Sequence, residues 1–166
     1  MEIRNDKAAK EKLVGLIKDC RIAMLTTRHA DGAMHSRPMG TVEAEFDGYL
    51  WFFTDNHAEM VQDIQKVPDV AVTYSDERKQ NYVSITGKAQ ILHDPDKVKE
   101  LWGESLRVWF PKGPSDPAIA LIKVDVTMAE YWDAPSSTML HAYGYVKAVT
   151  TGERPKHTGE QVGVTF

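Results

Sequence analysis

The chain has 166 residues, of which 42% are hydrophobic and 27% are charged, and its formal net charge is −4. This length fits one domain with a sizeable core, and the composition is that of ordinary globular proteins. The acidic balance argues against a nucleic-acid partner, because binding to a phosphate backbone generally needs a basic excess. The single cysteine, Cys20, excludes an intrachain disulfide and indicates a reducing compartment.

No membrane association is expected from the sequence. The N-terminus lacks the apolar core of a signal peptide, and no apolar run approaches the roughly 20 residues that a transmembrane helix needs. We therefore expect a soluble cytoplasmic protein. Cys20 is expected to be a small buried residue, since no side chain that could activate its thiol is evident nearby.

The first part of the chain predicts a helix followed by three strands. Leu13, Leu16 and Ile17 recur at helical spacing, which predicts a helix from Asp6 to Asp19. Three apolar runs follow, and the Asp-Gly pairs between them are typical of hairpin turns. We therefore expect an antiparallel meander with the strands "RIAMLTT", "MHSRPMG" and "YLWFFT".

Two further helices and two strands are expected in the middle of the chain. Asn56 as a cap and Glu59 three residues later predict a capping box at the start of the second helix. The strand "VAVTYS" follows, and Gly87 in the strand "YVSITGKAQILH" indicates a bulge or a close backbone approach. Asp94 and Pro95 are typical of the start of the third helix.

The last part of the chain predicts two more strands, a helix and a tail. The strands are "IALIKVDV" and "AEYWD", and the helix is "STMLHAYGYVKAVTTG". Six or seven strands joined mostly by tight turns predict a mainly β protein with helices, in the α+β class, built as a small antiparallel barrel. We expect one domain over residues 1–150 and a polar C-terminal tail over residues 151–166.

Several common catalytic patterns do not occur. The six histidines show no spacing typical of a zinc site, so we expect no metal. There is no Gly-x-Ser-x-Gly for a serine nucleophile, and neither a Rossmann glycine pattern nor a P-loop is present. Catalytic residues are therefore not identified.

The stretch "MHSRPMG" indicates a strand that binds an anion. The planar guanidinium of Arg37 suits a phosphate, and Pro38 interrupts strand pairing, so that the backbone is free to meet a ligand. Thr54 adds a hydroxyl, and the helix that begins near His57 adds its positive end. The alternative is that Arg37 is a surface residue paired with an acid, and these residues alone leave both interpretations open.

Aromatic residues favour a ligand with a flat ring. Trp109 begins a loop rich in proline and glycine, and Trp132 ends a predicted strand. Residues at the ends of elements often line a cavity, whereas most aromatic side chains pack in the core. A flat, phosphorylated heteroaromatic ligand would use both these tryptophans and the Arg37 strand.

The order of five motifs resembles the general stress protein 26 family, which belongs to the pyridoxamine 5'-phosphate oxidase-like, FMN-binding split-barrel group. The motifs run from about residue 22 to residue 133 and are "SRPM", "LWFFTD", "YVSITGKAQI", "LWGESLRVWFPKGPSDP" and "EYWD". The resemblance implies a six-stranded antiparallel split β-barrel with short flanking helices. It also implies a homodimer with one FMN in each of two clefts at the subunit interface, and makes residues 1–150 a single FMN-binding domain.

The resemblance also implies a set of cofactor-binding residues. Arg37 would hold the FMN phosphate, and its neighbours on the strand would run beside the flavin. Phe53 and Thr54 would flank the ring and the phosphate, and the two tryptophans would close the cleft. The full set is Ser36, Arg37, Pro38, Met39, Phe53, Thr54, Asp55, His57, Met60, Trp109 and Trp132.

The chain departs from the family pattern after the strand "YLWFFT". Ala58 stands where serine is common in the family, and Met60 stands where lysine is common. A charge-assisted hydrogen bond contributes roughly 1.5–3 kcal/mol, so we expect FMN affinity to be lower by about tenfold to a hundredfold. His57 is the candidate to replace part of this contact.

The resemblance implies an FMN-dependent oxidoreductase of the flavin reductase or oxidase type, with a reduced nicotinamide, NADH or NADPH, as a compatible electron donor. The alternative is a non-catalytic module that binds, senses or stores flavin, so enzymatic activity stays open. A barrel that binds haem or a deazaflavin ranks last, because no histidine stands out as an axial ligand. Oxidation of pyridoxamine phosphate is not expected, since no Arg-x-x-x-Arg-Leu motif follows Trp132.

Overall fold

The protein is mainly β, with a few helices beside one mixed sheet. The computed structural model describes residues 2–42, 44–133, 149–150 and 160–166. The strands are β1 (Glu2–Arg4), β2 (Ile22–Arg28), β3 (Met34–Gly40), β4 (Tyr49–Asp55), β5 (Asp69–Asp76), β6 (Asn81–Leu92), β7 (Ile119–Asp133) and β8 (Glu160–Thr165). The helices are α1 (Lys7–Lys18), α2 (Glu59–Lys66) and α3 (Pro95–Leu101), and a short 3-10 helix spans Glu104–Val108.

The sheet contains more strands than the sequence predicted. Its order is β1-β8-β7-β6-β5-β2-β3, and β4 pairs with β7 off this path. Strands β2 to β7 are joined by antiparallel pairs, whereas β1 pairs with β8 in parallel. The prediction of six antiparallel strands is therefore incomplete, because β8 and β1 extend the described sheet beyond β7 to eight strands.

Strand β8 also corrects part of the predicted polar C-terminal tail over residues 151–166: Glu160–Thr165 form a strand, and residues 151–159 lie outside the described part of the chain. Val162 and Val164 of β8 are buried in the main core, which a solvated tail would not provide. Alternation of these two valines with more polar neighbours was the strand signal in this segment. The predicted last helix, over residues 137–152, lies outside the described residues except for 149–150.

The predicted meander is correct at its first turn and wrong at its second. Strands β2 and β3 form the expected hairpin, and Gly32 in its turn has φ +92°. Gly48, before β4, also has a positive φ, of +97°, but β4 pairs with β7 and not with β3. Residues 41–48 connect β3 to β4. Because a tight hairpin has a loop of about two residues, the Asp-Gly pair within this longer connection does not bring β3 and β4 together as partners.

The predicted irregularity at Gly87 is confirmed. The register between β6 and β7 shifts at Thr86 and Gly87, and a Cβ atom on Gly87 would lie 2.3 Å from the backbone oxygen of Asp125. A side chain therefore does not fit where the two backbones approach. The two strands predicted after residue 118 form one continuous strand, β7, which pairs with β6 along nearly its whole length.

Among the helices in the described part of the chain, α1 and α3 begin where the sequence predicts. The Asp6 carboxylate caps α1 by accepting a hydrogen bond of 3.0 Å from the Ala9 backbone N–H, and Asp94 caps α3 with Pro95 at its start. These polar caps satisfy N–H groups that have no partner inside the helix.

The predicted capping box of α2 is wrong. The residue before α2 is Ala58, which has no side chain able to cap the helix. The Asn56 amide oxygen instead lies 2.6 Å from Nε2 of His93. Glu59 is consequently not engaged in a capping box, and its carboxylate has other partners.

Two hydrophobic clusters lie on opposite sides of β4. Phe52 belongs to the main core, between the sheet and helices α1 and α2, while Phe53 belongs to a second cluster beside α3. Adjacent residues of a strand point to opposite faces, so β4 separates the two clusters. The second group, called the aromatic cluster below, comprises Phe53, Val98, Leu101, Phe110, Ile119 and Leu121, with Val42, Trp51, Leu92, Trp102 and Leu106 packed against it.

The expectations for Cys20 and for membrane-spanning helices can both be compared with the structure. Cys20 is buried, as expected, and burial raises the pKa of its thiol. Within the described ranges, no helix is long and apolar enough to cross a membrane.

Candidate functional site

The predicted binding residues of β3 lie on both faces of the strand. Met39 is buried in the main core and Arg37 is half-buried on the same face. Ser36 and Pro38 are exposed on the other face, where the Ser36 hydroxyl lies 2.7 Å from that of Thr26. Alternation along a strand causes this separation, so these four residues surround β3 and do not form one surface.

One edge of β3 has no strand paired to it within the described part of the chain. Just beyond β3, Thr41 lies opposite Arg21, and its N–H donates to the Arg21 carbonyl at 3.0 Å, so these two residues form a hydrogen-bonded pair. Hydrogen-bonded and non-hydrogen-bonded pairs alternate along an antiparallel ladder, and this pair therefore defines the type of every pair between β2 and β3. Pro38 lies opposite Met24, at a non-hydrogen-bonded position, where backbone groups point away from β2. Proline therefore costs no ladder hydrogen bond here. The prediction that Pro38 interrupts strand pairing is wrong, because β3 pairs with β2 on both sides of Pro38, but the other edge of β3 is open within the described sheet.

Arg37 is surrounded by polar side chains from three elements. Its Nη1 atom donates to the Thr27 hydroxyl at 2.9 Å, and its Nη2 atom donates to Oε2 of Glu59 at 3.2 Å. Nη2 also lies 3.6 Å from Oδ2 of Asp63. The group from β2, β3 and α2, called the Arg37 cluster below, comprises Thr27, His29, His35, Arg37, Glu59 and Asp63.

Asp63 is the buried centre of the Arg37 cluster. Its side chain is 4% exposed, it accepts a hydrogen bond of 3.1 Å from Thr27, and its other oxygen lies 2.5 Å from Nδ1 of His29. Burial alone would raise the pKa of Asp63. The hydrogen bonds with His29 and Thr27, together with the charge of Arg37, nevertheless hold that pKa below its usual value.

Glu59 lies at the exposed side of the Arg37 cluster. Its Oε1 atom lies 3.3 Å from Nε2 of His29, and its side chain is 59% exposed. The His29 ring stacks on that of His35 with centroids 5.0 Å apart. In the described part of the chain, no group of three or more His, Cys, Asp or Glu side chains is arranged to hold a metal ion.

The charges of the Arg37 cluster determine what it can bind. Glu59 and Asp63 supply two carboxylates against the single guanidinium of Arg37, so one formal negative charge remains when both histidines are neutral. An anion can reach Arg37 only if a carboxylate moves away or if histidine protonation offsets the charge. The structure therefore shows Arg37 paired with acids, which is the alternative interpretation from the sequence.

Sequence reasoning missed the acids and the histidine that surround Arg37. Glu59 and Asp63 lie four residues apart, a spacing that places both on one face of a helix. That spacing was the available signal, but Glu59 was assigned to a capping box. The contribution of His29 had no local signal, because it depends on how β2 packs against α2.

Met60 lies in the hydrophobic core and not in the Arg37 cluster. It is buried, like the neighbouring Ile64, on the inward face of α2. Neighbouring helix residues point in different directions, so Glu59 reaches Arg37 while Met60 does not. A role for Met60 in the phosphate site stays a prediction, and the structure supplies a packing role for its side chain.

The predicted residues of β4 and its continuation have structural partners. Phe53 packs in the aromatic cluster, with its ring centroid 6.1 Å from that of Trp102. Thr54 is buried, with its hydroxyl 3.5 Å from the Asp55 carbonyl oxygen. The Asp55 carboxylate accepts the backbone N–H of His57 at 2.7 Å, which lowers the pKa of Asp55, and the His57 ring is exposed.

The two predicted tryptophans lie at the surface. Trp109 is 78% exposed just after the 3-10 helix, and Trp132 is partly exposed on β7 opposite Tyr82 of β6. Single exposed apolar side chains are common on protein surfaces, so exposure alone assigns no role to either tryptophan.

A cavity of about 680 Å³ lies elsewhere, between α1, β4 and the segment that precedes β4. Its lining includes Ile17, Tyr49, Trp51 and Tyr74, but none of the eleven predicted site residues. We place the candidate site at β3, because the open strand edge and the Arg37 cluster both offer polar groups suited to a ligand.

The fold and the site define a mainly β protein with a polar cluster at an edge strand. The model of the family described as "Pyridoxamine 5'-phosphate oxidase like" matches residues 8–156. The chain belongs to this family, which confirms the assignment made from the motifs.

Related proteins support the same assignment. The crystal structure of the general stress FMN/FAD binding protein from Xanthomonas citri is 30% identical, with a TM-score of 0.69 over 80% of this chain and 93% of that one. The general stress protein 26 from Bacillus anthracis str. Sterne is 29% identical, with a TM-score of 0.66 over 74% of this chain and 92% of that one. The Neurospora crassa protein bli-3 is 24% identical over 143 residues, or 80% of this chain and 68% of its own length.

Proposed function

We propose that this protein binds FMN at β3 and acts as a flavin-dependent oxidoreductase. The observation that carries this proposal is the placement of Arg37 on a strand whose other edge is open. The likeness to the Xanthomonas citri protein, which is named for FMN/FAD binding, supports the choice of a flavin.

The residues present fit a phosphorylated flavin in two respects and oppose it in a third. Backbone groups of Ser36 and Pro38 face the open edge and can pair with the N–H and C=O groups of a flavin ring. The Arg37 guanidinium can hold a phosphate. Glu59 and Asp63 oppose that phosphate, because they already hold Arg37. When bound, the flavin supplies the redox chemistry, and the protein supplies binding and orientation.

An exposed apolar face supports a homodimer. Ile22 and Met24 of β2 and Met34 of β3 are 56%, 38% and 60% exposed, on the face of the hairpin opposite the core. Ile22 and Met24 are neighbours on this face, whereas Met34 lies opposite Arg28 at the other end of the hairpin. Neighbouring exposed apolar side chains are typical of an interaction surface. We propose that this face takes part in pairing with a second copy, that strands β2 to β7 form the split barrel of the family, and that each cleft between subunits holds one FMN.

Flavin titration tests the binding part of the proposal. We expect the purified protein to quench the fluorescence of added FMN. Because Arg37 contacts the phosphate, Arg37→Ala should weaken FMN binding by about tenfold and riboflavin binding much less. Arg107→Ala is the control, since Arg107 pairs with Glu104 on the exposed 3-10 helix. Equal losses for both flavins would remove Arg37 from the phosphate site, and absence of binding to either would refute the proposal.

Reduction and sedimentation test the remaining parts. NADH or NADPH should bleach the flavin of the FMN-loaded protein under anaerobic conditions. Persistent colour with both donors would favour the alternative, a module that binds or stores flavin without turnover. Sedimentation velocity should show a dimer, and a monomer at micromolar concentration would contradict the shared clefts.

A further inference from the structure

The guanidinium of Arg37 is already paired with a carboxylate of the protein itself, that of Glu59. We propose that Glu59 competes with the flavin phosphate for Arg37 and thereby sets how strongly the protein prefers FMN over unphosphorylated riboflavin. This inference rests on the proposed function, because it concerns the selectivity of the same site.

The carboxylate of Glu59 lies where an anionic ligand would be expected. Nη1 of Arg37 donates one of its two N–H bonds to the Thr27 hydroxyl, whereas Nη2 faces Glu59, Asp63 and His35. Nη2 donates to Oε2 of Glu59 at 3.2 Å. Carboxylate and phosphate oxygens are alternative acceptors for the same guanidinium donors, so Glu59 and a phosphate exclude each other there.

Of the two acids beside Arg37, only Glu59 is free to leave. Asp63 is 4% exposed and is held by both Thr27 and His29. Glu59 is the first residue of α2, its side chain is 59% exposed, and its contact with His29 is longer, at 3.3 Å. A rotation of the Glu59 side chain into solvent would release Nη2 from its closest carboxylate and leave the buried pair with Asp63 in place.

The competition has a different effect on each flavin. FMN must displace Glu59 and overcome its negative charge, whereas riboflavin has no phosphate and leaves the Arg37–Glu59 pair in place. Glu59→Gln should therefore tighten FMN binding, because the amide holds Arg37 less strongly and does not repel phosphate. For an exposed ion pair we expect a gain of about 1.5- to fivefold. Riboflavin affinity should stay unchanged.

The test compares dissociation constants for FMN and riboflavin by fluorescence quenching in the wild type, Glu59→Gln and a matched control. Glu77→Gln is that control, because Glu77 is exposed in the β5–β6 turn and its substitution changes the net charge equally. A gain confined to FMN and to Glu59→Gln supports the inference. An equal gain for both flavins, or the same gain in Glu77→Gln, overturns it.

A double substitution shows whether Glu59 acts through Arg37. In an Arg37→Ala background, Glu59→Gln should change FMN affinity no more than Glu77→Gln does, because the contested donor is absent. A gain that persists at full size would overturn the competition for Arg37. If neither flavin binds to any variant, the proposed function itself fails, whereas flavin binding with unchanged selectivity refutes only the role of Glu59.

Discussion

The Arg37 cluster and the aromatic cluster each contain one of the predicted site residues, Arg37 and Phe53, but different forces hold these two side chains. Arg37 is held by hydrogen bonds and charges, and one of its partners, Glu59, is largely exposed. Phe53 is held by packing against Trp102 and Phe110, with ring centroids 6.1 and 6.4 Å away. Packing explains the position of Phe53 without a ligand, whereas an exchangeable acid beside Arg37 leaves room for selectivity. The aromatic cluster therefore serves stability, and the Arg37 cluster is where we propose that the ligand is selected.

Truncation of Phe53 should have the largest effect on stability. Phe53 is 8% exposed, and Phe53→Ala should lower the free energy of unfolding by about 3–5 kcal/mol, because it leaves a cavity among the aromatic rings. Urea denaturation followed by circular dichroism measures the change. Phe53→Leu is the control and should cost clearly less, since it keeps most of the apolar volume. A loss below about 1 kcal/mol for Phe53→Ala would contradict the packing role.

Asp63→Asn should have the next largest effect, through a polar mechanism. The substitution weakens the contacts with His29 and Thr27 and removes the buried charge near Arg37. We expect the free energy of unfolding to fall by about 1–3 kcal/mol at neutral pH. Urea denaturation of the two proteins side by side measures this difference.

The same pair of proteins tests the lowered pKa of Asp63. A carboxylate whose pKa is lower in the folded state stabilises the protein above its unfolded pKa, about 3.9, and loses that contribution as the pH falls further. The difference in stability between the wild type and Asp63→Asn should therefore be full at neutral pH and shrink below about pH 4. A difference that grows on acidification would contradict the lowered pKa.

Local signals predicted most of the fold. The helix that starts at Asp6, the cap at Asp94, the turn at Gly32 and the irregularity at Gly87 each depend on a few neighbouring residues, and the structure confirms them. The pairing of β4 with β7 was not predicted, because partners far apart in the chain leave no mark in either segment. Strand β8 was missed although Val162 and Val164 alternate with other residues, because this signal is short and the burial of the two valines depends on pairing with the distant β7.

The site shows the same limit. The strand with Arg37 and the edge position of Pro38 follow from local sequence, as does the family. The acids that hold Arg37 do not, because Glu59 meets it only through the packing of α2 against the hairpin. A sequence pattern identifies a guanidinium, but tertiary packing determines whether that guanidinium is free or already paired.

Substitution of Trp109 should have the smallest effect on stability. Its effects on FMN and riboflavin affinity distinguish a contact with the flavin ring from a contact with the phosphate. Trp109 is 78% exposed, so Trp109→Ala should change the free energy of unfolding by less than about 0.5 kcal/mol. If Trp109 closes the flavin cleft, the substitution should weaken FMN and riboflavin binding equally, by about two- to tenfold, because an aromatic contact is made with the ring. Val108→Ala, at a neighbouring residue that is 82% exposed, is the matched control. Unchanged affinity in Trp109→Ala would remove this tryptophan from the site, and a loss confined to FMN would place it at the phosphate. An equal loss of affinity for both flavins, with an unchanged free energy of unfolding, would show that Trp109 contributes to binding and not to stability. Phe53 would then differ from it, because packing in the aromatic cluster gives that ring a role in stability.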